Sequence, residues 1–495
     1  MEAKAPNELL YRWLLACGVF ALLLFFFSPS WGAFRAWSRA PELGFMLETR
    51  RGVVVLEQVA HPGTAVSDTL HSAIQWRLLF PVIGRGLHLS GPAFFGLAHA
   101  GCVLVLGFII TVLRRRGVGW VDAGFVATSL GAGSWFFASV CWLGYFDSWL
   151  VLGLLIVAFG RSPRSVWLAC LWAPWVDERF VIGAPLAMLC RYCLRPASAQ
   201  DQSPGALQRE FAVPAALLAG FAVIRLGVLA GPSAPGATIG GYFANLQFGD
   251  APGARIAAGI WEGLRAGWFF VLLAAALLPR RQGVALTAAA LGLMAAGLAT
   301  AQDFSRAMML VLPLGLAGAV RAFETRPRWL PLALRGAAAS SLLLPGHLVM
   351  SNYVQPVQGF YHELAALDNP PALLRPESYE LRAIHAMEQG LPAQAEADLG
   401  LAIKLAANPA GPSKQRGILY ASAGRWEEAR RDFAVMVQYA PEDPEAWFFR
   451  AQAQLALGDP AAARADMQQA TARAPADWAA RPDVARFLVR LGQAR

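Results

Sequence analysis

Residues 424–458, GRWEEARRDFAVMVQYAPEDPEAWFFRAQAQLALG, decide the fold of the C-terminal part of the chain. The stretch begins and ends on glycines 34 residues apart, and Gly390 stands another 34 residues upstream. At five, nine and twelve residues after each glycine, side chains of similar character recur: Ala395, Ala429 and Ala463, then Leu399, Phe433 and Met467, then Ala402, Met436 and Ala470. A fixed period of this length predicts stacked helical hairpins, with glycine in the hairpin turn and alanine where the two helices cross.

The period and these residues resemble the tetratricopeptide repeat family over residues 376–475. Asp483–Leu491 is expected to add a capping helix, so the predicted domain, 376–495, holds three repeats and a cap. The resemblance implies a surface that recruits a protein or glycan partner and has no chemistry of its own.

The rest of the chain is too apolar for an ordinary cytosolic enzyme. Of 495 residues, 56% are hydrophobic and 15% are charged, and the mean hydropathy is +0.43. Soluble domains have about 45–50% apolar residues and about 25% charged residues. We therefore predict an all-α protein, with a polytopic helical membrane bundle over 1–350, a linker over 351–375 and the repeat solenoid. The first 375 residues hold 28 basic and 18 acidic residues, against 14 and 15 in the remainder. The excess positive charge lies in the bundle, where it predicts cytoplasmic turns rather than a nucleic-acid surface.

Apolar runs separated by charged turns predict about eleven membrane spans. They cover 9–28, 92–113, 121–143, 147–160, 165–176, 180–194, 211–230, 257–279, 283–301, 306–320 and 332–346. Arginine clusters fall on alternate turns, beginning with Arg114–Arg116, which places those turns and the N-terminus in the cytoplasm. The outer segment, 29–91, and the repeat domain then lie on the periplasmic or lumenal side, and we expect a bacterial inner membrane.

Ionisable residues concentrate at the predicted outer ends of the spans. They are Asp147, then Asp177, Glu178 and Arg179, then Glu262 and Arg265, then Asp303 and Arg306. Each residue alone fits a helix cap or an interfacial charge, and Glu262 with Arg265 fits an internal salt bridge. As a set they indicate a functional site, because charges inside a membrane bundle are costly and the short turns bring them toward one face.

The outer segment holds a second group of candidates. Asp68, His71 and Gln75 would share one stripe of a helix lying in the membrane interface, with Arg77 close behind. A solvated helix face explains this pattern equally well. In the functional interpretation, Asp68 or an upstream glutamate is a general base or a metal ligand. The upstream acids are Glu42, Glu48 and Glu57.

The layout as a whole resembles the GT-C superfamily of membrane glycosyltransferases, some of which also carry C-terminal tetratricopeptide repeats. The resemblance implies a sugar donor carried on a polyprenyl phosphate, and an acceptor hydroxyl that is deprotonated by a carboxylate of the outer segment. Asp68, Glu48 and Glu42 are the candidates for that base, and Asp147 is a further catalytic candidate.

The same resemblance implies a set of substrate-binding residues. Arg179 and Arg306 would bind the phosphate, because guanidinium groups stay charged and donate two parallel hydrogen bonds. Asp147 and Asp177 would hold sugar hydroxyls or a divalent cation, and no cofactor is certain. The remaining substrate-binding candidates are His71, Arg77, Glu178 and Asp303.

Three other functions fit part of the pattern. O-antigen ligases and polymerases also combine many spans with such repeats, but their long outer loop usually comes late, where Gly231–Arg255 is short. A membrane-anchored scaffold would need no charges within the bundle, so the clustered charges count against it. A transporter would be expected to repeat one half of the bundle in the other, and the sequence shows no such repeat. The sequence holds no P-loop and no H-E-x-x-H motif, and Cys190 and Cys193 have no second pair to complete a metal site.

Overall fold

The computed structural model divides into two compact units. One comprises Met1–Gly32 and Arg51–Leu367, and the other comprises Ala33–Arg50 and Asp368–Arg495. The described residues are 7–27, 31, 34, 38, 47–64, 72–89, 91–194, 204–225, 252–300, 303–350, 354–357, 359, 376–388, 390–406, 408–475 and 478–493. Within them the backbone alone is described at 47–48, 72–73, 204–209, 252, 300, 377–378, 385, 388 and 479.

Helices form almost all of the described structure before residue 350, so the predicted all-α class is confirmed. They are α1 (Glu8–Phe26), α2 (Leu47–Ala60), α3 (Leu79–Gly86), α4 (Gly91–Arg114), α5 (Trp120–Gly131), α6 (Ser134–Cys141), α7 (Asp147–Phe159), α8 (Pro163–Trp172), α9 (Arg179–Cys193), α10 (Pro204–Val223), α11 (Pro252–Leu264), α12 (Trp268–Leu277), α13 (Arg280–Thr300), α14 (Phe304–Met308), α15 (Leu312–Thr325) and α16 (Leu330–Leu343). Short 3-10 turns occupy Ser72–Trp76, Ala173–Trp175, Arg265–Gly267 and Met309–Val311. After α16 the strands β1 (His347–Val349) and β2 (Val354–Pro356) pair antiparallel, and β2 falls in the predicted linker.

The prediction of about eleven spans is wrong. Among the described residues, five helical segments are long and apolar enough to cross a membrane, and the bent pair α5 and α6 adds a sixth at most. The five are Glu8–Phe26, Gly91–Arg114, Gly253–Leu277, Arg280–Ala299 and Phe304–Thr325. Other predicted spans form helices that are too short, since α7, α9 and α16 have 13, 15 and 14 residues and about 20 residues cross the hydrocarbon layer.

Hydropathy overestimated the spans because it does not distinguish burial in lipid from burial in protein. All eight side chains of α6 are buried, and α5 meets α6 at a 70° bend. A Cβ on Gly133, at this bend, would lie 2.8 Å from the carbonyl oxygen of Gly263, so only glycine fits there without displacing backbone. Short helices persist inside a membrane protein where neighbouring groups satisfy their ends, and the beginnings of α7, α9 and α14 meet in one charged cluster.

Three helical hairpins and a final helix form the C-terminal part of the second unit. They are α17 (Pro376–Glu388) with α18 (Pro392–Leu405), α19 (Ala410–Ser422) with α20 (Trp426–Tyr439), α21 (Pro444–Ala456) with α22 (Pro460–Arg473), and α23 (Pro482–Gln493). Gly390, Gly424 and Gly458 have φ of +71°, +73° and +83°, a backbone conformation that costs glycine little. The 34-residue period therefore marks the hairpin turns, and the predicted tetratricopeptide-like repeats are confirmed.

Each hairpin also holds a half-buried ion pair that was not predicted. In each pair an arginine of the first helix donates two hydrogen bonds to an aspartate of the second: Arg382 to Asp398, Arg416 to Asp432, and Arg450 to Asp466. Both members of the pair recur every 34 residues. The repeat is thus defined by an ionic contact as well as by its apolar residues.

The second hairpin packs its crossing point differently from its neighbours. Gly417 faces Phe433, and a Cβ on Gly417 would lie 2.4 Å from the nearest ring carbon of Phe433. The equivalent position of the first hairpin is Ala383, with the smaller Leu399 opposite, and both are fully buried. Gly417 and Phe433 therefore compensate for each other in volume.

We expect Gly417→Ala to lower the free energy of unfolding of the repeat domain by about 1–2 kcal/mol, because overpacking outweighs the helix propensity gained. Phe433→Leu is expected to relieve the clash and recreate the pair of the first hairpin. The measurement is a double-mutant cycle by thermal unfolding of the full chain, and we expect a favourable coupling of about 1–2 kcal/mol. Additive effects of the two substitutions would contradict this account of the crossing point.

Candidate functional site

Three helices of the first unit have an aspartate at or just before their first residue, and these helix beginnings lie together. Asp147 is the first residue of α7, Asp177 precedes α9, and Asp303 precedes α14. Asp303 accepts a hydrogen bond from the backbone N–H of Arg306 at 3.0 Å, and Asp177 accepts one from the backbone N–H of Arg179 at 3.0 Å. Asp303 is the N-cap of α14, and Asp177 lies one residue before the N-cap of α9. Both carboxylates also face arginine side chains.

Asp147 is the centre of this cluster. Its side chain is 1% exposed. Arg306 donates to both carboxylate oxygens at 2.8–3.2 Å, and Arg179 donates to one of them at 2.6 Å. Arg179 also donates to both oxygens of Asp177, at 2.7 and 2.8 Å. The two arginines thereby join the beginnings of α7, α9 and α14.

Arg77 connects the segment before α3 to the cluster. Its guanidinium lies 2.8 Å from Asp177, and it donates to both oxygens of Glu178 at 2.9 and 3.1 Å. The Glu178 side chain is 39% exposed, far more than that of Asp147 or Asp177. Glu178 is therefore the carboxylate at the open edge of the cluster.

Arg51 and Tyr145 belong to the same cluster and were not predicted. The Arg51 guanidinium lies 4.1 Å from the centroid of the Tyr145 ring, and that of Arg306 lies 4.3 Å from the same centroid. Arg51 also donates through Nε to the carbonyl oxygen of Gly144 at 3.0 Å. Contacts of a guanidinium with a ring and with a backbone carbonyl leave no spacing pattern in a sequence, although Tyr145 stands two residues before Asp147.

Arg51 has no carboxylate partner within 4.0 Å among the described residues. Together with Arg77, Arg306 and Asp177 it lines a cavity whose space open to the centre of a water molecule is about 20 Å³, enough for one water. Burial lowers the pKa of Arg51 to about 10. Burial alone would raise the pKa of Asp177, but Arg179 and Arg77 outweigh it and hold that pKa well below its usual range.

Seven predicted site residues therefore meet in this cluster: Arg77, Asp147, Asp177, Glu178, Arg179, Asp303 and Arg306. Asp68, His71 and Glu42 lie outside the described residues, and Glu48 lies on α2 with only its backbone described. Glu57 is exposed on α2. The catalytic and binding roles of all these residues stay predictions.

The pair Glu262 and Arg265 forms a separate, structural contact. The Arg265 side chain is 0% exposed, and it bonds Glu262 at 2.8 Å and the carbonyl oxygen of Pro345 at 2.9 Å. It also donates to the carbonyls of Ser341 and Leu344, at the end of α16. Arg265 thus satisfies the C-terminal carbonyls of one helix from the break between α11 and α12.

The carboxylates of the cluster accept hydrogen bonds from arginines. This bears on the prediction that Asp147 and Asp177 hold either a divalent cation or sugar hydroxyls. In the described part of the chain, no group of three or more His, Cys, Asp and Glu side chains is arranged to hold a metal ion. Asp147 and Asp177 each accept hydrogen bonds from guanidinium groups. The same contacts occupy Arg77, Arg179 and Arg306, which leaves Arg51 as the guanidinium of the cluster without a carboxylate partner among the described residues.

Comparison with known proteins identifies the repeats alone. The family model described as tetratricopeptide repeat matches residues 420–480, within the second and third hairpins and the segment after them. No curated protein and no solved structure matches the chain. The family indicates protein–protein interaction for this domain, and the match does not extend to the bundle.

Proposed function

We propose that the bundle binds a polyprenyl-phosphate sugar and transfers the sugar to an acceptor on the periplasmic face, while the repeats recruit the acceptor or another protein. The observation that carries the proposal is Arg51, a half-buried guanidinium without a carboxylate partner in a cavity shared with Arg77 and Arg306. A phosphate would supply the missing negative charge. Arginine suits this task because its planar fork matches phosphate oxygens.

Entry of a phosphate requires one carboxylate to move, since the cavity holds about one water. Glu178 fits this role, because it is the most exposed carboxylate of the cluster and its hydrogen bonds go to Arg77. Rotation of Glu178 toward solvent would free the Nε and Nη2 of Arg77 for phosphate oxygens beside Arg51. Asp147 and Asp177 would stay in place and hold the other arginines.

The cluster favours a positioning role for Asp147 over that of a base. Two guanidiniums donate to its carboxylate, and hydrogen bonds to the charged form make a carboxylate a weak base. In the proposed step the acceptor oxygen bonds to the anomeric carbon, the bond from that carbon to the phosphate oxygen breaks, and the electron pair leaves with the phosphate. The acceptor proton passes to a carboxylate of the outer segment, for which Asp68, Glu48 and Glu42 are the candidates.

The proposal includes an orientation in a bacterial inner membrane. The N-terminus and the arginine-rich turns would be cytoplasmic, in agreement with the positive-inside rule. The cluster would then be periplasmic. The repeat domain would be periplasmic as well, because α16, although short, returns the chain to Met350, which forms a β-bridge with Asp303 of the cluster. The apolar helices that could cross a membrane support the location in a membrane, and the charge distribution supports the orientation.

Arg51→Gln tests the proposal because it removes a phosphate ligand without leaving a carboxylate unpaired. We expect the KM for the donor to rise about tenfold or more, as for the loss of a hydrogen bond to a charged group. The loss of the hydrogen bond to the Gly144 carbonyl should lower the free energy of unfolding by only about 1 kcal/mol. The measurement is release of polyprenyl phosphate by the full chain in nanodiscs from a panel of polyprenyl-phosphate hexoses and pentoses, with a bacterial periplasmic and membrane extract supplying the acceptor hydroxyl. Arg85→Gln, an exposed arginine on α3, is the matched control and should behave as the unchanged protein.

Two results would contradict the proposal. If the unchanged protein releases no polyprenyl phosphate from any donor of the panel, the bundle is not this transferase and the scaffold alternative is favoured. If Arg51→Gln and Arg85→Gln have equal KM values, transfer occurs without the cavity, and the phosphate site lies elsewhere.

A further inference from the structure

A second, larger cavity lies where two turns of the first unit meet. One turn joins α4 to α5, and the other joins α15 to α16. The cavity has about 340 Å³ of space open to the centre of a water molecule. Its lining includes the arginines Arg116, Arg326 and Arg328 and one acid, Asp122. It does not share a residue with the Asp147 cluster.

The backbone of both turns is fixed in a way that forms this cavity. Gly117 has φ of +75° and Arg326 has φ of +46°, so each turn reverses through a left-handed residue. The left-handed conformation is uncommon for a residue with a Cβ. At Arg326 the left-handed conformation ends α15, so Arg326 and Arg328 lie in the turn after the helix.

The positive charge of the cavity is only partly neutralised. Arg116 pairs with Glu324 at 2.9 Å. Arg326 donates only to a backbone carbonyl, at 3.4 Å, and Arg328 has neither a hydrogen bond nor an ion pair with the rest of the described chain. Three guanidiniums against Asp122 and Glu324 leave a net positive site for an anion.

The position of the cavity along the bundle matches the depth of lipid headgroups. The segment Phe304–Thr325 begins at the Asp147 cluster and ends at the cavity. Its 22 residues span about 33 Å at 1.5 Å per residue, which is close to the ~30 Å thickness of the hydrocarbon layer. The cavity and the cluster therefore lie at opposite edges of one apolar layer.

Aromatic residues mark the same edge of that layer. Trp120 begins α5, contacts Tyr11 at 6.2 Å between ring centroids, and lies under the guanidinium of Arg114 at 4.1 Å. Trp329, beside Arg328, is 48% exposed. Tryptophan and tyrosine concentrate at the boundary between headgroups and acyl chains.

Apolar surface adjoins the charged cavity. Phe323 and Leu330 line it, and two neighbouring side chains, Val121 and Leu332, are 69% and 76% exposed. A free phosphate would use only the arginines, whereas a phospholipid would use the arginines for its phosphate and the apolar side chains for its chains.

We propose that this cavity is a binding site for the phosphate headgroup of an anionic phospholipid. Arg328 and Arg326 donate to the phosphate oxygens, and the acyl chains lie along α5 and α16. Basic pockets between membrane helices are suited to such headgroups. The proposal depends on the helices crossing a membrane and is independent of sugar transfer.

The test compares lipids on the purified full chain in detergent. We expect phosphatidylglycerol to raise the melting temperature and to bind in native mass spectrometry at least tenfold more tightly than phosphatidylcholine. Arg326→Gln with Arg328→Gln should abolish that preference. Arg164→Gln, which removes an exposed arginine in the first turn of α8, is the matched control and should retain it.

Equal binding of the two lipids by the unchanged protein would overturn the proposal. So would a preference for phosphatidylglycerol that survives in the double variant, since the site would then lie elsewhere. Sn-glycerol 3-phosphate distinguishes the source of the phosphate. If it binds as tightly as phosphatidylglycerol, the cavity is a site for soluble phosphates and the lipid assignment is wrong.

Discussion

Arg306→Gln is expected to lower the free energy of unfolding by about 3–5 kcal/mol, the usual effect of breaking a buried ion pair. Arg306 is 9% exposed and shares the carboxylate of Asp147 with Arg179. Without Arg306, that carboxylate keeps only one of its two guanidinium partners although its side chain is 1% exposed. In a unit of this size the melting temperature should fall by roughly 6–10 °C, measured on the full chain in detergent.

Substitution of Asp147, the partner of Arg306, tests whether the ion pairs of the cluster are energetically coupled or independent. Asp147→Asn alone should destabilise to a similar extent, because it leaves two buried guanidiniums without their shared anion. Combining Asp147→Asn with Arg306→Gln removes opposite charges together, so the pair should cost less than the sum of the single changes. Arg164→Gln is the exposed control. If the two substitutions lower the free energy of unfolding additively, or if they shift the melting temperature as little as the control does, Asp147 is not the centre of the cluster.

Arg265→Ala is expected to be equally damaging for a different reason. The substitution removes the guanidinium partner of the buried Glu262 carboxylate, which keeps only its contact with His347, and it removes the donor of three carbonyls at the end of α16. Leaving a buried charge unpaired costs about 3–5 kcal/mol. The measurement is again the melting temperature of the full chain in detergent.

A second variant distinguishes lost hydrogen bonds from relieved backbone strain. Arg265 has φ of +51°, so Arg265→Gly would relax the backbone while removing the same side chain. We expect Arg265→Gly to recover only about 1 kcal/mol of the loss, the scale of strain at such a residue. Arg281→Ala, at an exposed arginine of α13, should change stability by less than about 0.5 kcal/mol. Full recovery with glycine would show that strain, rather than the hydrogen bonds, determines the effect.

The repeats could be predicted because their constraints are local. A hairpin turn that needs positive φ selects glycine, and a close helix crossing selects alanine, so Gly424 and Ala429 recur with the period. The ion pair of Arg416 with Asp432 obeys the same period and was available in the sequence. It was not predicted, because charged residues that recur on a helix are equally typical of a solvated face.

The spans could not be counted correctly because apolar composition does not locate helix ends. The predicted span 121–143 is broken at Ala132–Gly133, where α6 passes the end of α11. At that break Gly133 packs against the carbonyl of Gly263, more than a hundred residues away in the sequence. Long-range packing of this kind leaves no mark in a hydropathy window.

The cluster was predicted in part because charges at short turns are costly inside a bundle. Asp147, Asp177 and Arg306 were singled out as members of one face, and the structure brings them together. Arg51 was not predicted to belong to the cluster, because its polar segment holds several arginines and glutamates and nothing in the sequence distinguishes Arg51 from them. Its distinguishing property, the lack of a carboxylate partner, exists only in the folded chain.

The most direct test of the proposed donor site is a structure of the full chain in nanodiscs with polyprenyl phosphate. We predict the phosphate within hydrogen-bond distance, about 2.7–3.2 Å, of Arg51 and Arg77, with Glu178 turned toward solvent and Asp147 still bound to Arg179 and Arg306. A phosphate bound elsewhere, with Glu178 still holding Arg77, would contradict the account.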